Sequence, residues 1–130
     1  MENSRADFLL HFDKGPCYVE VKSVTLLRRR RIGLFPDTVS ARGSKHLREL
    51  IEVKRRGGRA VLCFVAMHNA IGEVRPADQI DPLYGATLRE AQQAGVELLA
   101  YGVAVSEQQL LVTSALPIRL CPPLIPTSSG

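Results

Sequence analysis

The chain has 130 residues, of which 45% are apolar and 23% charged, and its formal net charge is +4. This length suits a single folded domain, and the composition excludes a disordered polar or acidic tail protein. The longest apolar run, residues 60–67, is far shorter than the roughly 20 residues of a membrane helix. The N-terminus shows no signal-peptide pattern and none of the three cysteines lies in a CxxC pair, so we expect a cytoplasmic protein that does not contact a membrane.

Apolar patterning predicts five strands and two helices. The predicted strands are residues 8–12, 17–27, 60–67, 96–105 and 109–120, and the first two form an antiparallel hairpin because turn residues join them. One helix is predicted to begin at an Asp37 or Thr38 cap and end at Gly57-Gly58, and the other runs from Asp81-Pro82 to Gly95. Residues 28–37 and 68–81 are predicted to be loops. The expected fold class is α/β, with a mixed central sheet flanked by helices.

The sharpest chemical signal lies on the second predicted strand. Glu20 and Lys22 are two residues apart and therefore point to the same face, and Asp7 stands at the start of the neighbouring strand. Two carboxylates suit Mg²⁺ or Mn²⁺, which prefer hard oxygen ligands and retain several waters. Asp7 and Glu20 are the candidate metal ligands, and Lys22 is the candidate group for positioning water or offsetting phosphate charge. The alternative interpretation is an exposed strand face that carries a Glu–Lys pair.

Basic residues form a second signal because they are concentrated in a few places. The candidates for phosphate contact are an unbroken run and two residues early in the first helix, namely Arg28, Arg29, Arg30, Arg31, Arg42 and Lys45. His46 and Asp37 are further candidates near the same helix start. The alternative is that the basic residues are solvated, that His46 belongs to a polar helix edge, and that Asp37 is only a helix cap.

Several motifs in order closely resemble the sugar fermentation stimulation protein A (SfsA) family. They are NSRADFL at 3–9, CYVEVKSVTL at 17–26, FPD at 35–37, KHLREL at 45–50, RPADQIDP at 75–82 and GVELLAY at 95–101. The match extends from about Asn3 to Leu120. The resemblance implies a restriction-endonuclease-like core of the PD-(D/E)XK type over residues 1–120, with a flexible tail at 121–130. It also implies that an N-terminal OB-like domain, expected in the full-length protein, is absent from this chain.

The resemblance maps the nuclease motif onto Asp7, Glu20 and Lys22, and it implies DNA as the partner. The expected function is therefore divalent-metal-dependent hydrolysis of DNA phosphodiesters, with Mg²⁺ or Mn²⁺ as the cofactor. The alternative is a non-catalytic DNA-binding module involved in regulating sugar (maltose) metabolism genes. The sequence leaves open whether the domain cuts DNA.

Overall fold

The structure is a computed structural model that describes residues 8–12, 15–105 and 110–120. Within these residues it contains two helices and eight strands. The helices are α1 (Ala41–Arg55) and α2 (Pro82–Ala94). The strands are β1 (Phe8–Phe12), β2 (Gly15–Val24), β3 (Leu26–Arg28), β4 (Ile32–Phe35), β5 (Arg59–Ala66), β6 (Glu73–Pro76), β7 (Glu97–Val105) and β8 (Leu110–Ala115).

The main sheet has five strands in the order β1-β2-β5-β7-β8. The interior strands β2, β5 and β7 are parallel, and the edge strands β1 and β8 are antiparallel to their neighbours. The predicted hairpin is confirmed, with Phe8 paired to Val19 and Phe12 to Gly15. After Arg59, the apolar sequence of β5 fits its central position in the sheet, since most of its apolar residues are buried there. The mixed α/β sheet predicted from the sequence is therefore confirmed.

Both helices contribute to one core on one face of this sheet. Leu47, Leu50 and Ile51 of α1 and Tyr84 and Leu88 of α2 are buried in the same cluster as the even-numbered residues of β5. Because side chains alternate along a strand, the even-numbered residues of β2 point to this helix-covered face as well. Glu20 and Lys22 therefore lie on the covered side of the sheet, and the prediction that they share a face is confirmed.

A second sheet corrects the two long loops predicted from the sequence. Strands β3, β4 and β6 form a three-stranded sheet, with β3 antiparallel and β6 parallel to β4. These strands have only three or four residues, which is too short for a periodic pattern to stand out. A 3-10 turn at Arg29–Arg31 joins β3 to β4, and Arg30 and Arg31 both have a φ of 63°. The basic run is thus a tight turn between strands, in a conformation that few non-glycine residues adopt.

The start of α1 was also wrong in the sequence prediction. Its N-cap is Ser40, whose hydroxyl accepts a hydrogen bond from the Gly43 amide at 2.8 Å; neither Asp37 nor Thr38 caps the helix. The start and end of α2 are confirmed, with Asp81 as the N-cap and Gly95 in the left-handed conformation at the C-terminus. Neither helix in the described part of the chain has the length and apolar character needed to cross a bilayer. The predicted tail at 121–130 lies outside the described residues.

Candidate active site

Glu20 and Lys22 lie in the middle of β2, between the edge strand β1 and the central strand β5. Glu20 pairs with Leu62 and Lys22 with Phe64 in the parallel register. Helix α1 covers this part of the sheet and places His46 over both residues. The side chains of Glu20, Lys22 and His46 are only 6%, 17% and 10% exposed. These three residues, here called the β2 cluster, are therefore largely shielded from solvent.

The β2 cluster is held by short polar contacts. The Lys22 ammonium lies 3.3 Å from Glu20 Oε2 and 3.0 Å from His46 Nδ1, and His46 Nδ1 lies 3.5 Å from the same Glu20 oxygen. An ammonium group can only donate hydrogen bonds, so Nδ1 of His46 is the acceptor and its ring proton is on Nε2. His46 thus holds the end of the Lys22 side chain in place and does not donate to Glu20 through Nδ1.

The alternative that placed the candidate His46 on a solvated polar helix edge is wrong. His46 is one of the buried residues of α1, together with Gly43, Leu47 and Leu50. It lies three residues after Gly43 and four before Leu50, so the helical period is consistent with its burial.

The N-termini of both helices are fixed close to each other by one buried carboxylate. Asp81 Oδ1 accepts a hydrogen bond from the Tyr84 amide at 3.0 Å, which caps α2. Its other oxygen accepts from the Ser40 amide at 2.8 Å, at the start of α1. Asp81 is 3% exposed. The negative charge of Asp81 therefore compensates the positive ends of both helices.

Tyr84 is a site residue that the sequence analysis missed. It is fully buried, and its ring packs against Phe35 with 5.3 Å between centroids. A Cβ on Gly43 would lie only 3.0 Å from this ring, so glycine is needed for α1 to approach α2. Burial, with smaller contributions from the charges of Glu20 and Asp81, raises the pKa of the Tyr84 hydroxyl. Among residues 8–12, 15–105 and 110–120, that hydroxyl has no hydrogen-bond partner. In the sequence, a lone aromatic residue after a helix cap is indistinguishable from an ordinary core residue.

The remaining predicted site residues are at the surface or outside the described residues. Arg28, Arg29, Arg30, Arg42 and Lys45 are exposed, as is Arg31, whose Nε donates to the Ala70 carbonyl at 2.9 Å. Asp37 is exposed and forms no hydrogen bond or ion pair with the residues described here. Asp7 lies outside the described residues; it directly precedes Phe8, the β1 residue that pairs with Val19 next to Glu20.

The described residues alone do not contain a complete set of metal ligands. Within residues 8–12, 15–105 and 110–120, no group of three or more His, Cys, Asp or Glu side chains is arranged to hold a metal ion. Glu20 provides one buried carboxylate for such a site. A second hard oxygen ligand therefore has to come from elsewhere, and Asp7 is the candidate that the sequence analysis identified.

The chain resembles known proteins in sequence and in fold. Residues 1–109 match the family model described as "Sugar fermentation stimulation protein RE domain". Sugar fermentation stimulation protein homologues of Pseudomonas paraeruginosa and Shewanella frigidimarina are 52% and 53% identical to the chain, each over 92% of it. The match covers 52% and 51% of those two proteins, so the chain spans about half the length of its curated relatives.

A solved structure, described as "The structure of Pyrococcus Furiosus SfsA in complex with Ca2+", has the same fold. It matches 90% of this chain and 51% of its own, with a TM-score of 0.83 and 33% identity. The resemblance noted from the sequence motifs is therefore confirmed by sequence and by structure. The Pyrococcus furiosus protein was solved as a calcium complex.

Proposed function

This chain belongs to the sugar fermentation stimulation protein family, and on that premise we propose that it is a nuclease-like domain that hydrolyses DNA phosphodiesters with Mg²⁺ or Mn²⁺. The observation that carries the proposal is the state of the Glu20 carboxylate. Glu20 is 5% exposed, yet among the described residues the polar contacts of its carboxylate are one ammonium at 3.3 Å and one imidazole nitrogen at 3.5 Å. Burying a carboxylate with so few donors is costly unless a further positive group binds it.

A divalent cation fits the chemistry of the residues proposed to hold it. Glu20 and Asp7 offer carboxylate oxygens, the ligands that Mg²⁺ and Mn²⁺ prefer, and such ions need only one or two of them. A cation bound there neutralises charge on a phosphate oxygen and lowers the pKa of a nearby water. The calcium complex of the Pyrococcus furiosus relative supports an oxygen-rich cation site, since Ca²⁺ also takes oxygen ligands.

Lys22 and His46 have separate roles in this proposal. Lys22 places a positive charge beside the reacting phosphate, where negative charge increases in the transition state. His46 accepts a hydrogen bond from the Lys22 ammonium at 3.0 Å and thereby orients it.

A DNA-binding module without catalysis, acting in the regulation of sugar (maltose) metabolism genes, is the second candidate. It is favoured by the ammonium of Lys22, which already partly neutralises Glu20. In that case the exposed basic residues of the 3-10 turn and of the first turns of α1 contact phosphate, and affinity falls steeply with salt.

The experiment is calorimetric titration of Mn²⁺, with a plasmid-nicking assay on the same samples. The variants are Glu20→Gln and Lys22→Ala, and Glu52→Gln is the matched control because Glu52 is exposed on α1. We expect saturable Mn²⁺ binding that is at least about 100-fold weaker in Glu20→Gln, since a direct ligand contributes at least as much as an outer-shell group. Glu52→Gln binds Mn²⁺ like the unaltered protein.

Lys22→Ala separates binding from chemistry. We expect it to retain or improve Mn²⁺ affinity, because a competing cation is removed from Glu20, while nicking is lost. Mn²⁺ binding without nicking in the unaltered chain contradicts DNA hydrolysis by this chain and supports the metal site alone. No saturable binding, or equal binding by Glu20→Gln and Glu52→Gln, overturns the proposed metal site.

A further inference from the structure

A pocket on the second sheet lies outside the β2 cluster and is not used by the proposed reaction. Its volume is about 190 Å³, and it lies on the outer face of β4 and β6, between that face and the segment 76–80. Ile32, Leu34 and Ile80 contribute apolar side chains to its floor. The opposite face of the same sheet carries Val74, which is buried in the core. The pocket is therefore built on a rigid element.

Three arginines border this pocket, and their positive charge is only partly neutralised. Arg75 and Arg119 share the single carboxylate of Glu73, and Arg28 has no ion-pair partner in the described part of the chain. Asp78 also lines the pocket, but both of its oxygens accept hydrogen bonds from Arg89, at 3.0 and 2.7 Å. The border of the pocket thus has more positive than negative charge above an apolar floor.

We propose that this pocket binds a nucleoside monophosphate unit, with its base on the apolar floor and its phosphate at Arg28 and Arg119. Guanidinium groups pair with phosphate in a bidentate geometry and also stack on bases. The pocket is smaller than the roughly 300–1,000 Å³ that encloses a drug-sized ligand. It therefore suits one pyrimidine ring with the charged group outside, beside the arginines.

Such a unit has two sources, a free nucleotide or an unstacked nucleotide within single-stranded DNA. The second source rests on the proposed function, and it is consistent with the position of Arg28 next to the basic 3-10 turn. Single-stranded nucleic acid is commonly held by a basic track together with sites where bases stack. The chemistry that the pocket recognises is the same in both cases.

The test is calorimetric titration of thymidine 5′-monophosphate in metal-free buffer, so that the result does not depend on the metal site. We expect a dissociation constant of about 0.1 mM, within the range for a ligand of this size. Thymidine and inorganic phosphate are expected to bind at least about tenfold more weakly, because each lacks half of the contacts. Glu20→Gln is expected to bind the nucleotide like the unaltered protein.

Two variants locate the binding. Arg28→Gln is expected to weaken it about tenfold, whereas the matched control Arg55→Gln, an exposed arginine on α1, leaves it unchanged. Leu34→Thr introduces a residue type that strands accommodate well and removes part of the apolar floor, so it weakens nucleotide binding but not phosphate binding. Thermal unfolding of each variant verifies that it is folded.

A 12-residue oligothymidylate distinguishes the two sources. If the oligothymidylate competes with thymidine monophosphate and binds at least about tenfold more tightly, the source of the bound nucleotide is single-stranded DNA. If it does not compete, the source is a free nucleotide. The proposal is overturned if thymidine monophosphate shows no saturable binding, if inorganic phosphate binds equally well, or if Arg28→Gln and Arg55→Gln behave alike.

Discussion

Two buried carboxylates, Asp81 and Glu20, are 3% and 5% exposed but have very different surroundings. Asp81 accepts hydrogen bonds from two backbone amides, at 2.8 and 3.0 Å, and so joins the first turns of α1 and α2. Glu20 has a lysine at 3.3 Å and a histidine nitrogen at 3.5 Å, and both contacts are with side chains. Burial alone therefore does not separate a structural carboxylate from a functional one.

The two carboxylates differ in how completely hydrogen-bond donors and positive groups compensate their negative charge. Backbone amides are fixed donors, so Asp81 stabilises the fold and has little capacity left for a ligand. The groups around Glu20 are side chains, and one of them, the Lys22 ammonium, also donates to His46. A buried carboxylate with incomplete donors favours a cation or a protonated partner. This comparison is the physical reason for assigning Glu20, and not Asp81, to the candidate active site.

The largest effect on stability is expected from Asp81→Ala. It removes the cap of α2 and leaves the Ser40 amide without its acceptor, so we expect the free energy of unfolding to fall by about 2–3 kcal/mol. Urea denaturation measures this change, and Asp81→Asn is the control because it retains one acceptor oxygen. If the free energy of unfolding falls by less than about 0.5 kcal/mol, the lower limit for a helix cap, Asp81 is not a structural carboxylate.

A smaller loss is expected for Glu20→Gln. The change removes a poorly compensated carboxylate, which is favourable, but it also leaves the Lys22 ammonium without its ion-pair partner, which is unfavourable. Because the two effects partly cancel, we expect the free energy of unfolding to fall by no more than about 1 kcal/mol. The same urea denaturation experiment compares the two variants directly. A destabilisation as large as that of Asp81→Ala would contradict the distinction between the two carboxylates.

A smaller effect is expected from Tyr84→Phe, which removes only the unpartnered hydroxyl. Stability is expected to stay constant or rise by about 0.5–1 kcal/mol, since a buried polar group without a partner is lost. We expect Mn²⁺ affinity to change by less than about tenfold, the size of effect of a group that supports a metal ligand, because the hydroxyl donates no hydrogen bond to Glu20 among the described residues; a larger fall would contradict this.

Calorimetry and thermal unfolding measure both quantities for Tyr84→Phe. Tyr101→Phe is the control, since Tyr101 is an odd-numbered residue of β7 and points to the other face of the sheet. Unchanged Mn²⁺ affinity in Tyr84→Phe would show that its hydroxyl is only an unpaired group in the core.

The sequence was sufficient for the parts of the fold that have a long, uniform pattern. The apolar strand β5, the alternating strand β2 and the capped helix α2 were predicted, because each repeats a period over eight residues or more. The second sheet was missed since its strands are short and two of them contain charged or proline residues. Glu20 and Lys22 were found from their two-residue spacing.

Tyr84 was missed by the sequence analysis, and for the candidate His46 the contact with Lys22 was not predicted. Their place at the site depends on how α1 and α2 pack, with Gly43 allowing the ring of Tyr84 to approach. Such a tertiary contact has no local sequence signature. A histidine or tyrosine at a helical spacing is compatible with a solvated edge, a core position or a site, and only the packing of the helices distinguishes them.

The smallest expected effect comes from a third carboxylate, Glu97, which is exposed and pairs with Arg59 through two hydrogen bonds at 2.6 and 3.0 Å. The hydrogen bond from Arg59 lowers the pKa of Glu97 below its usual value of 4.5. A carboxyl whose pKa is lowered in the folded state stabilises the protein above its unfolded pKa, and this contribution is lost as the pH falls through the folded value.

Glu97→Gln is therefore expected to lower the melting temperature slightly at neutral pH, and this effect is expected to diminish as the pH falls and the carboxylate of the unaltered protein becomes protonated. Thermal unfolding over a series of pH values measures the change, and added salt is expected to reduce the effect because exposed ion pairs are screened. A decrease at neutral pH as large as that of Asp81→Ala, or one that persists in acid, would contradict this. The contribution of a carboxylate to stability would then not depend on its burial and on the donors that compensate its charge. The contrast between Asp81 and Glu20 would lose its physical basis.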